Sequence, residues 1–419
     1  MNFSYKKVKN ICIKSKHASY KLSKTSNSER NLALTLISKS VIKNMNSILI
    51  ANKKDVQLAK KRKLASNLID RLFLDENRIF NLSQEIHNIS KLKDPLGKKL
   101  SETIRPNGLK ITKVSVPLGV IAVIFESRPN VTSDVASLCI KSGNSVILKG
   151  GKESKNSTET IISIIQKELS KTNISPLSVT SLKDYSRESV TQLFKMDKYV
   201  DVLIPRGGKG LIKQVRDKSN IPVFSHLDGI CHTYIDKFAS KEMALKVALN
   251  AKMRRTSICG ATETILCNSE IADAILPDLI ENLSKSGCKI IGDTKVVKYS
   301  NGILKAKESD WSTEYLDSIV SIKIVKDIFE AIDHINHYGS MHTDAIITKK
   351  KKMADIFFKN IESAIVMHNT STQFADGAEF GLGAEVGIST GKLHARGPVG
   401  LEGLTTYKYL VSGKGQIRN

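Results

Sequence analysis

The 419-residue sequence contains no apolar run near the roughly 18 residues that cross a bilayer, so no membrane span is expected. It has no Cys-x-x-Cys pair and no Cys/His cluster at zinc spacing, so no metal is expected. Neither GxGxxG nor GxxxxGK(S/T) occurs, which disfavours a P-loop NTPase and leaves any nucleotide site to less common loops. Aromatic residues make up only 5%, with a single Trp. Acidic residues are scarce beside basic ones, 41 against 65, for a formal net charge of +24.

Such a charge suggests nucleic acid or an anionic surface. The lysines, however, are scattered through every segment, and no aromatics interleave with them as stacking platforms. Small anionic substrates and phosphates fit this distribution better, and no nucleic-acid partner is expected. The six cysteines are Cys12, Cys139, Cys231, Cys259, Cys267 and Cys288. Without paired spacing in a chain this long, they point to free thiols in a reducing compartment, hence the cytoplasm. Met1 to Lys24 is Lys- and Ser-rich and poor in acids, as transit peptides are, but has no hydrophobic stretch of a secretory signal.

The length calls for two or three domains. Residues 15–95 carry helical periodicity. Ser26-Asn-Ser-Glu29 is a capping-box pattern, and Leu34, Ile37, Val41, Met45 and Ile48 follow as one apolar stripe. Ile79, Leu82, Ile86 and Ile89 form a second stripe, stopped near Asp94-Pro95. Gly108–Val116 alternates like a half-buried or edge strand. Val120–Phe125 and Ser145–Lys149 are short continuous apolar runs, as in strands buried on both faces of a parallel sheet. Val200–Ile204 reads as a further strand, and Val131–Lys141 as a helix. Further strands are expected at 221–224, 232–236, 263–267, 318–325, 344–348 and 405–411, with a helix over 241–251. Alternating strands and helices of this kind make a doubly wound α/β protein.

Polar or glycine-rich loops follow the buried strands: Glu126-Ser-Arg-Pro-Asn130, Gly150-Gly-Lys-Glu153 and Pro205-Arg-Gly-Gly-Lys-Gly210. In open α/β sheets, ligands bind at carboxyl ends of strands, and glycine-rich helix starts suit phosphate. Lys149, Lys152, Arg206 and Lys209 supply charge for a phosphorylated dinucleotide; the alternative is that these glycines only make turns. Around Cys259, a basic approach, Lys252-Met-Arg-Arg-Thr-Ser-Ile, runs into the cysteine and then Gly260-Ala261. Nearby positive charge favours a nucleophilic thiolate. The alternative is a buried structural cysteine.

Five segments then match one family. Val116-Pro-Leu-Gly-Val-Ile-Ala-Val-Ile-Phe-Glu-Ser-Arg-Pro-Asn130, Leu148-Lys-Gly-Gly-Lys-Glu-Ser154, Ile204-Pro-Arg-Gly-Gly-Lys-Gly210, Met253-Arg-Arg-Thr-Ser-Ile-Cys-Gly260 and His394-Ala-Arg-Gly-Pro-Val-Gly-Leu-Glu402 resemble the γ-glutamyl phosphate reductase family of the aldehyde dehydrogenase superfamily. The resemblance covers nearly the whole chain, at the length of a free-standing bacterial reductase rather than one fused to a kinase. It implies an aldehyde dehydrogenase-like fold: two doubly wound α/β domains plus a β oligomerisation flap. On that plan 1–104 and 117–225 form the NADP-binding domain and 226–375 the catalytic domain. Residues 105–116 and 392–419 form the flap, and 376–391 connect.

The resemblance further implies NADPH-dependent reduction of L-glutamyl 5-phosphate to L-glutamate 5-semialdehyde, the second step of proline synthesis from glutamate. Cys259 matches the family nucleophile, with its own backbone N–H and the Asn130 side chain as oxyanion donors. Lys149 and Lys152, the Arg206-Gly207-Gly208 loop and Glu314 match cofactor-binding positions, Glu314 at the nicotinamide ribose. Arg128, Arg255 and Arg396 all qualify for the substrate carboxylate. A homo-oligomer, dimer or tetramer, and functional coupling with glutamate 5-kinase are implied as well. Hydrolytic aldehyde dehydrogenases carry a water-activating Glu in Glu-Leu-Gly-Gly; here the matching stretch is His226-Leu-Asp-Gly229. A reductase that must keep its thioester from water has no use for that Glu. The role of His226 is open between acid/base chemistry and a structural hydrogen bond. Two rivals remain: a hydrolytic aldehyde dehydrogenase, which should keep the Glu, and a basic surface-binding protein, which would not need the ordered loops.

Overall fold

A computed structural model describes residues 3–418. The chain divides into two compact units, the second formed by His226–Phe380 with Ile388–Pro398 and the first by the remainder.

The first unit opens with helices. Phe3–Leu22, the stretch resembling a transit peptide, buries Val8, Cys12, Ala18 and Leu22. Lys16 pairs with Asp201 at 2.8 Å. Asn27–Lys43 begins with the expected capping box: the Ser26 hydroxyl accepts from Glu29 N–H, and the Glu29 carboxylate accepts from Ser26 N–H. Hydrogen bonds from Asn173 and Ser26 hold the Glu29 carboxyl down at about 2. The apolar stripe expected as one helix is two, Asn27–Lys43 and Met45–Lys61, broken at Asn44. The Asn44 amide donates to Ser40 O, the local side-chain bond by which Asn competes with a continuing helix. Glu76–Lys91 buries Ile79, Leu82, Ile86 and Ile89 as expected.

The first unit's central sheet is parallel, in the order Val179–Ser181, Ser145–Lys149, Val120–Phe125, Val202–Arg206. Val120–Phe125 and Ser145–Lys149 are buried at every position, which is why they lack polar alternation. The chain winds outward from Val120–Phe125 in one direction and returns to its other side with Val202–Arg206. The switch point therefore lies between those two strands, above Glu126 and Gly207. The strand expected at 221–224 is only an isolated bridge, Leu203 to Val223. Pro222 has no N–H to continue a ladder.

A separate antiparallel sheet joins Lys99–Ile104, Lys110–Pro117 and Thr405–Ser412 in that order. Its first strand falls within the segment expected in the cofactor domain, and its third pairs in register from Thr405 against Pro117 to Ser412 against Lys110.

The second unit is a seven-stranded parallel sheet, in the order Leu304–Lys305, Lys289–Gly292, Ile319–Val325, Thr262–Asn268, Cys231–Ile235, Thr343–Ile347, Ile365–His368. Ala272–Lys285 and Lys241–Met253 cover one face through a core that includes Ile275, Leu276, Leu279 and Ala248. Ile328–Tyr338 and Lys351–Asn360 pack with Tyr234, Leu266 and Ile346. Within 392–398, expected in the flap, Gly397–Pro398 pairs instead with Ile388–Ser389 in this unit. Among the described residues, no helix is long and apolar enough to cross a membrane.

Candidate active site

The second unit's sheet order decides what surrounds Cys259. Thr262–Asn268, Cys231–Ile235 and Thr343–Ile347 are adjacent and parallel. Their amino ends are entered by three loops, carrying Cys259, His226–Gly229 and His342. The adjacent strand Ile319–Val325 is entered by the loop of Glu314. The nucleophile candidate therefore sits at the amino ends of the strands, opposite to the usual position of ligands in open α/β sheets.

Cys259 is half-buried, whereas the other five thiols are buried. One ring nitrogen each from His226 and His342 and the Cys259 sulfur lie within 4.8 Å of one another. The two rings meet edge to face, with centroids 4.9 Å apart. His226 Nδ1 lies 2.8 Å from the Ile388 carbonyl, which accepts only if Nδ1 carries the proton; Nε2 is then the basic nitrogen. His342 Nδ1 is 2.9 Å from the Thr343 hydroxyl. Burial alone would push the Cys259 thiol up, but the charge of His342 and hydrogen bonding with His226 outweigh it and hold the thiol well below its ordinary range. Burial pushes Cys139 and Cys267 up, the latter to about 12. Of the six thiols, Cys259 alone combines partial exposure with a lowered pKa.

The loop before Cys231 packs directly on Cys259. A Cβ on Gly229 would lie 2.3 Å from the Cys259 carbonyl oxygen and 2.7 Å from its Cα, so only glycine fits. The Cys231 thiol donates to the same oxygen at 3.1 Å. Gly229 N–H donates to Glu314 Oε1 at 2.8 Å. Beneath them Lys252 and Glu263, both fully buried, pair at 2.5 Å. Burial raises the Glu263 carboxyl to about 7 against the opposing pull of Lys252. The other Glu263 oxygen accepts from Leu316 N–H at 3.2 Å, two residues past Glu314. Arg255 is exposed four residues before Cys259, and exposed Arg396 donates to the Glu362 carbonyl.

The remaining expected site residues belong to the first unit. Asn130 is the first residue of the helix Asn130–Lys141, and its amide donates to Asp134 at 3.1 Å. Arg128 is half-buried just before it. Lys149 is buried; its ammonium donates to Gly150 O at 3.0 Å and lies 5.0 Å from the Tyr185 ring centroid. Desolvation lowers its pKa. Lys152 is exposed in the turn Lys152–Ser154. Arg206 ends its strand, with Nε buried and unbonded. Gly207 and Gly208 are exposed, but the Gly208 N–H, at the start of the helix Lys209–Lys218, donates to the Glu126 carboxylate at 2.8 Å. The Ser127 N–H likewise donates to Glu153 at 2.8 Å. A carboxylate of the chain itself thus satisfies the Gly208 N–H, at a glycine-rich helix start suggested for phosphate, and another satisfies an N–H of the polar loop at Ser127.

Sequence reasoning missed His342, Gly229 and the Lys252–Glu263 pair. Gly229 carries a signal of sorts, an Asp-Gly just before a strand. His342 carries none, being 83 residues from Cys259 and joined to it only by sheet order.

No family model matches the chain. It is 49% identical to a γ-glutamyl phosphate reductase from a Nitratiruptor species, over 97% of this chain and 98% of the relative. The chain belongs to the γ-glutamyl phosphate reductase family. A crystal structure of γ-glutamyl phosphate reductase from Thermotoga maritima matches with a TM-score of 0.96 and 39% identity, over 99% of this chain and 100% of that one. An acetylating aldehyde dehydrogenase from Geobacillus thermoglucosidasius shares the fold, with a TM-score of 0.70 and 15% identity over 99% and 98% of the two chains. This family member is therefore an oxidoreductase with the aldehyde dehydrogenase-like fold expected from its motifs.

Proposed function

We propose that the chain reduces L-glutamyl 5-phosphate to L-glutamate 5-semialdehyde with NADPH, releasing phosphate, as the second step of proline synthesis from glutamate. The observation that carries this reading is Cys259, set between His226 and His342 in a chain of this family. His226, with Nδ1 held by the Ile388 carbonyl, is placed to take the thiol proton at Nε2. The thiolate attacks the acyl carbon, the bond to the phosphate oxygen breaks, and phosphate leaves from a Cys259 thioester. Bound NADPH would supply the hydride. The thiohemiacetal on Cys259 then collapses, expelling the thiolate and releasing the aldehyde. By superfamily likeness, the Cys259 N–H and the Asn130 amide stabilise the oxyanion; Asn130 must then leave Asp134. No Glu occurs in His226-Leu-Asp-Gly229 to activate water against the thioester.

The residues assigned to the cofactor suit an anionic dinucleotide. Arg206 has a buried, unbonded Nε at the switch point, and Lys149 is a buried ammonium whose hydrogen bond goes to a neutral carbonyl. Gly207 leaves open the space beside Glu126 that a Cβ would fill at 2.6 Å. Glu314 would hold the nicotinamide ribose, exchanging its bond to Gly229. Arg128, Arg255 and Arg396 stay the candidates for the substrate carboxylate, Arg396 after release from Glu362. The flap supports a homo-oligomer, and the substrate's lability favours coupling with glutamate 5-kinase.

The test runs the reaction backwards, following phosphate-dependent reduction of NADP by glutamate semialdehyde. Cys259→Ala should abolish turnover and the acyl-enzyme seen by mass spectrometry while leaving NADPH binding intact; Cys139→Ala and Cys267→Ala should not. Near-normal activity of Cys259→Ala would overturn the mechanism. Equal kcat/KM with NADPH and NADH would remove the cofactor assignment.

A further inference from the structure

We propose that His226, Cys259 and His342 form a binding site for a soft metal ion of the Zn2+ class, and that filling it reversibly silences the nucleophile. The inference rests on the geometry of the three side chains and goes beyond the proposed reaction, which uses no metal. Their donor atoms already lie within 4.8 Å of one another. A tetrahedral Zn2+ with bonds of about 2.3 Å to sulfur and 2.0–2.1 Å to nitrogen holds neighbouring ligand atoms roughly 3.3–3.6 Å apart. Closing the cluster by about 1 Å reaches that spacing.

The surroundings are those of a built site. A metal-ligating His characteristically engages its other ring nitrogen with the protein, which fixes the tautomer and aims the ligand nitrogen. Both rings do so here, His226 Nδ1 to the Ile388 carbonyl and His342 Nδ1 beside the Thr343 hydroxyl. His342 is fully buried, its Nε2 makes no hydrogen bond of ordinary geometry, and the ring interacts with the Cys259 thiol, so its imidazole is held at the cluster with ligand capacity left. The set of two imidazoles and one thiolate matches Zn2+ and other soft or borderline ions, not Mg2+ or Ca2+, which take oxygen. Three protein ligands leave a fourth position for water. The half-buried Cys259 gives the ion a way in, and a thiolate bonded to the metal gives up electron density to it and is shielded by it, so it attacks an acyl carbon less readily.

The experiment uses the metal-stripped full chain and Zn2+ at buffered free concentrations. Equilibrium dialysis should find one tight Zn2+ per chain. Its binding should protect Cys259 from iodoacetamide, and chelation should restore labelling. Co2+ in its place should give the absorption of a tetrahedral thiolate complex, and Mg2+ should do none of this. His342→Gln and His226→Gln, checked for folding by circular dichroism, should each weaken Zn2+ by about tenfold or more. No stoichiometric binding, binding that leaves Cys259 open to alkylation, or affinity unchanged in both folded histidine variants would overturn the proposal. These readouts do not need turnover. If the acyl-enzyme fails to form but Zn2+ still protects Cys259, the reaction reading falls and the metal site stands; the reverse outcome removes the metal site alone.

Discussion

At Cys259 the chemistry depends on neighbours only a folded chain can bring. The basic approach through Arg254 and Arg255 suggested an electropositive thiol, yet both arginines are exposed, and Arg254 Nε donates to Gln373 at 3.1 Å. The thiolate is favoured instead by His342 and His226. Its position is set by a residue with no side chain. The contact of Gly229 with the Cys259 backbone leaves no volume for a methyl group, and a displacement of about 1 Å at a reacting atom can cost on the order of 100-fold in rate. Gly229→Ala should therefore lower kcat by about that factor while NADPH binding, measured by fluorescence titration, stays within a few-fold. A Gly229→Ala enzyme with wild-type kcat would show that the loop yields freely and does not position the nucleophile.

Among the elements, the helix Lys241–Met253 and the strand Thr262–Asn268 are joined by an ion pair with no access to water, Lys252 with Glu263. Neither charge is tolerable alone: removing one partner of a buried pair costs about 3–5 kcal/mol, much of it the burden of the charge left behind. Lys252→Met should lower stability by that amount in urea unfolding, and Lys252→Met with Glu263→Gln should recover a large part of it. A single variant as stable as the parent would contradict the pairing. The pair also reaches the proposed cofactor site, because Glu263 holds Leu316 N–H and so the loop that presents Glu314. Glu263→Gln is accordingly expected to raise the KM for NADPH before it changes kcat, as steady-state kinetics at saturating substrate would show.

For the molecule as a whole, the antiparallel sheet is the exposed feature. Its outer strand Thr405–Ser412 pairs with Lys110–Pro117 on one side only, and Tyr407, Tyr409, Leu410 and Val411 are all exposed. Native proteins cover such apolar edges, and strand addition by a second copy is the economical way. Deleting residues 404–419 should convert a homo-oligomer into monomer or aggregate and lower activity although Cys259 is untouched. Light scattering of intact and shortened proteins at micromolar concentration checks this; an intact enzyme that is monomeric and fully active would sink the idea.

What was legible in the sequence was what near neighbours in the chain determine. Val120–Phe125 and Ser145–Lys149 could be read as doubly buried strands because each has a continuous apolar stretch, Val146–Leu148 in the second, and Ser26 with Glu29 as a helix start because a capping box closes within four residues. The strand expected around Pro222 and the single helix expected through Asn44 failed where one residue's local chemistry, a missing N–H in the first and a side-chain amide in the second, outweighed the periodicity around it. The doubly wound fold followed from the alternation of elements, and Cys259 from its motif. Strand order carried the rest. Three loops far apart in the chain meet because Thr262–Asn268, Cys231–Ile235 and Thr343–Ile347 lie side by side in one parallel sheet, an adjacency that no local pattern encodes. The sequence by itself determined the family, most of the elements and the candidate nucleophile; only the tertiary structure decided that two histidines, one of them in no motif at all, stand against the thiol, because proximity across a sheet is set by packing between distant strands and not by spacing along the chain.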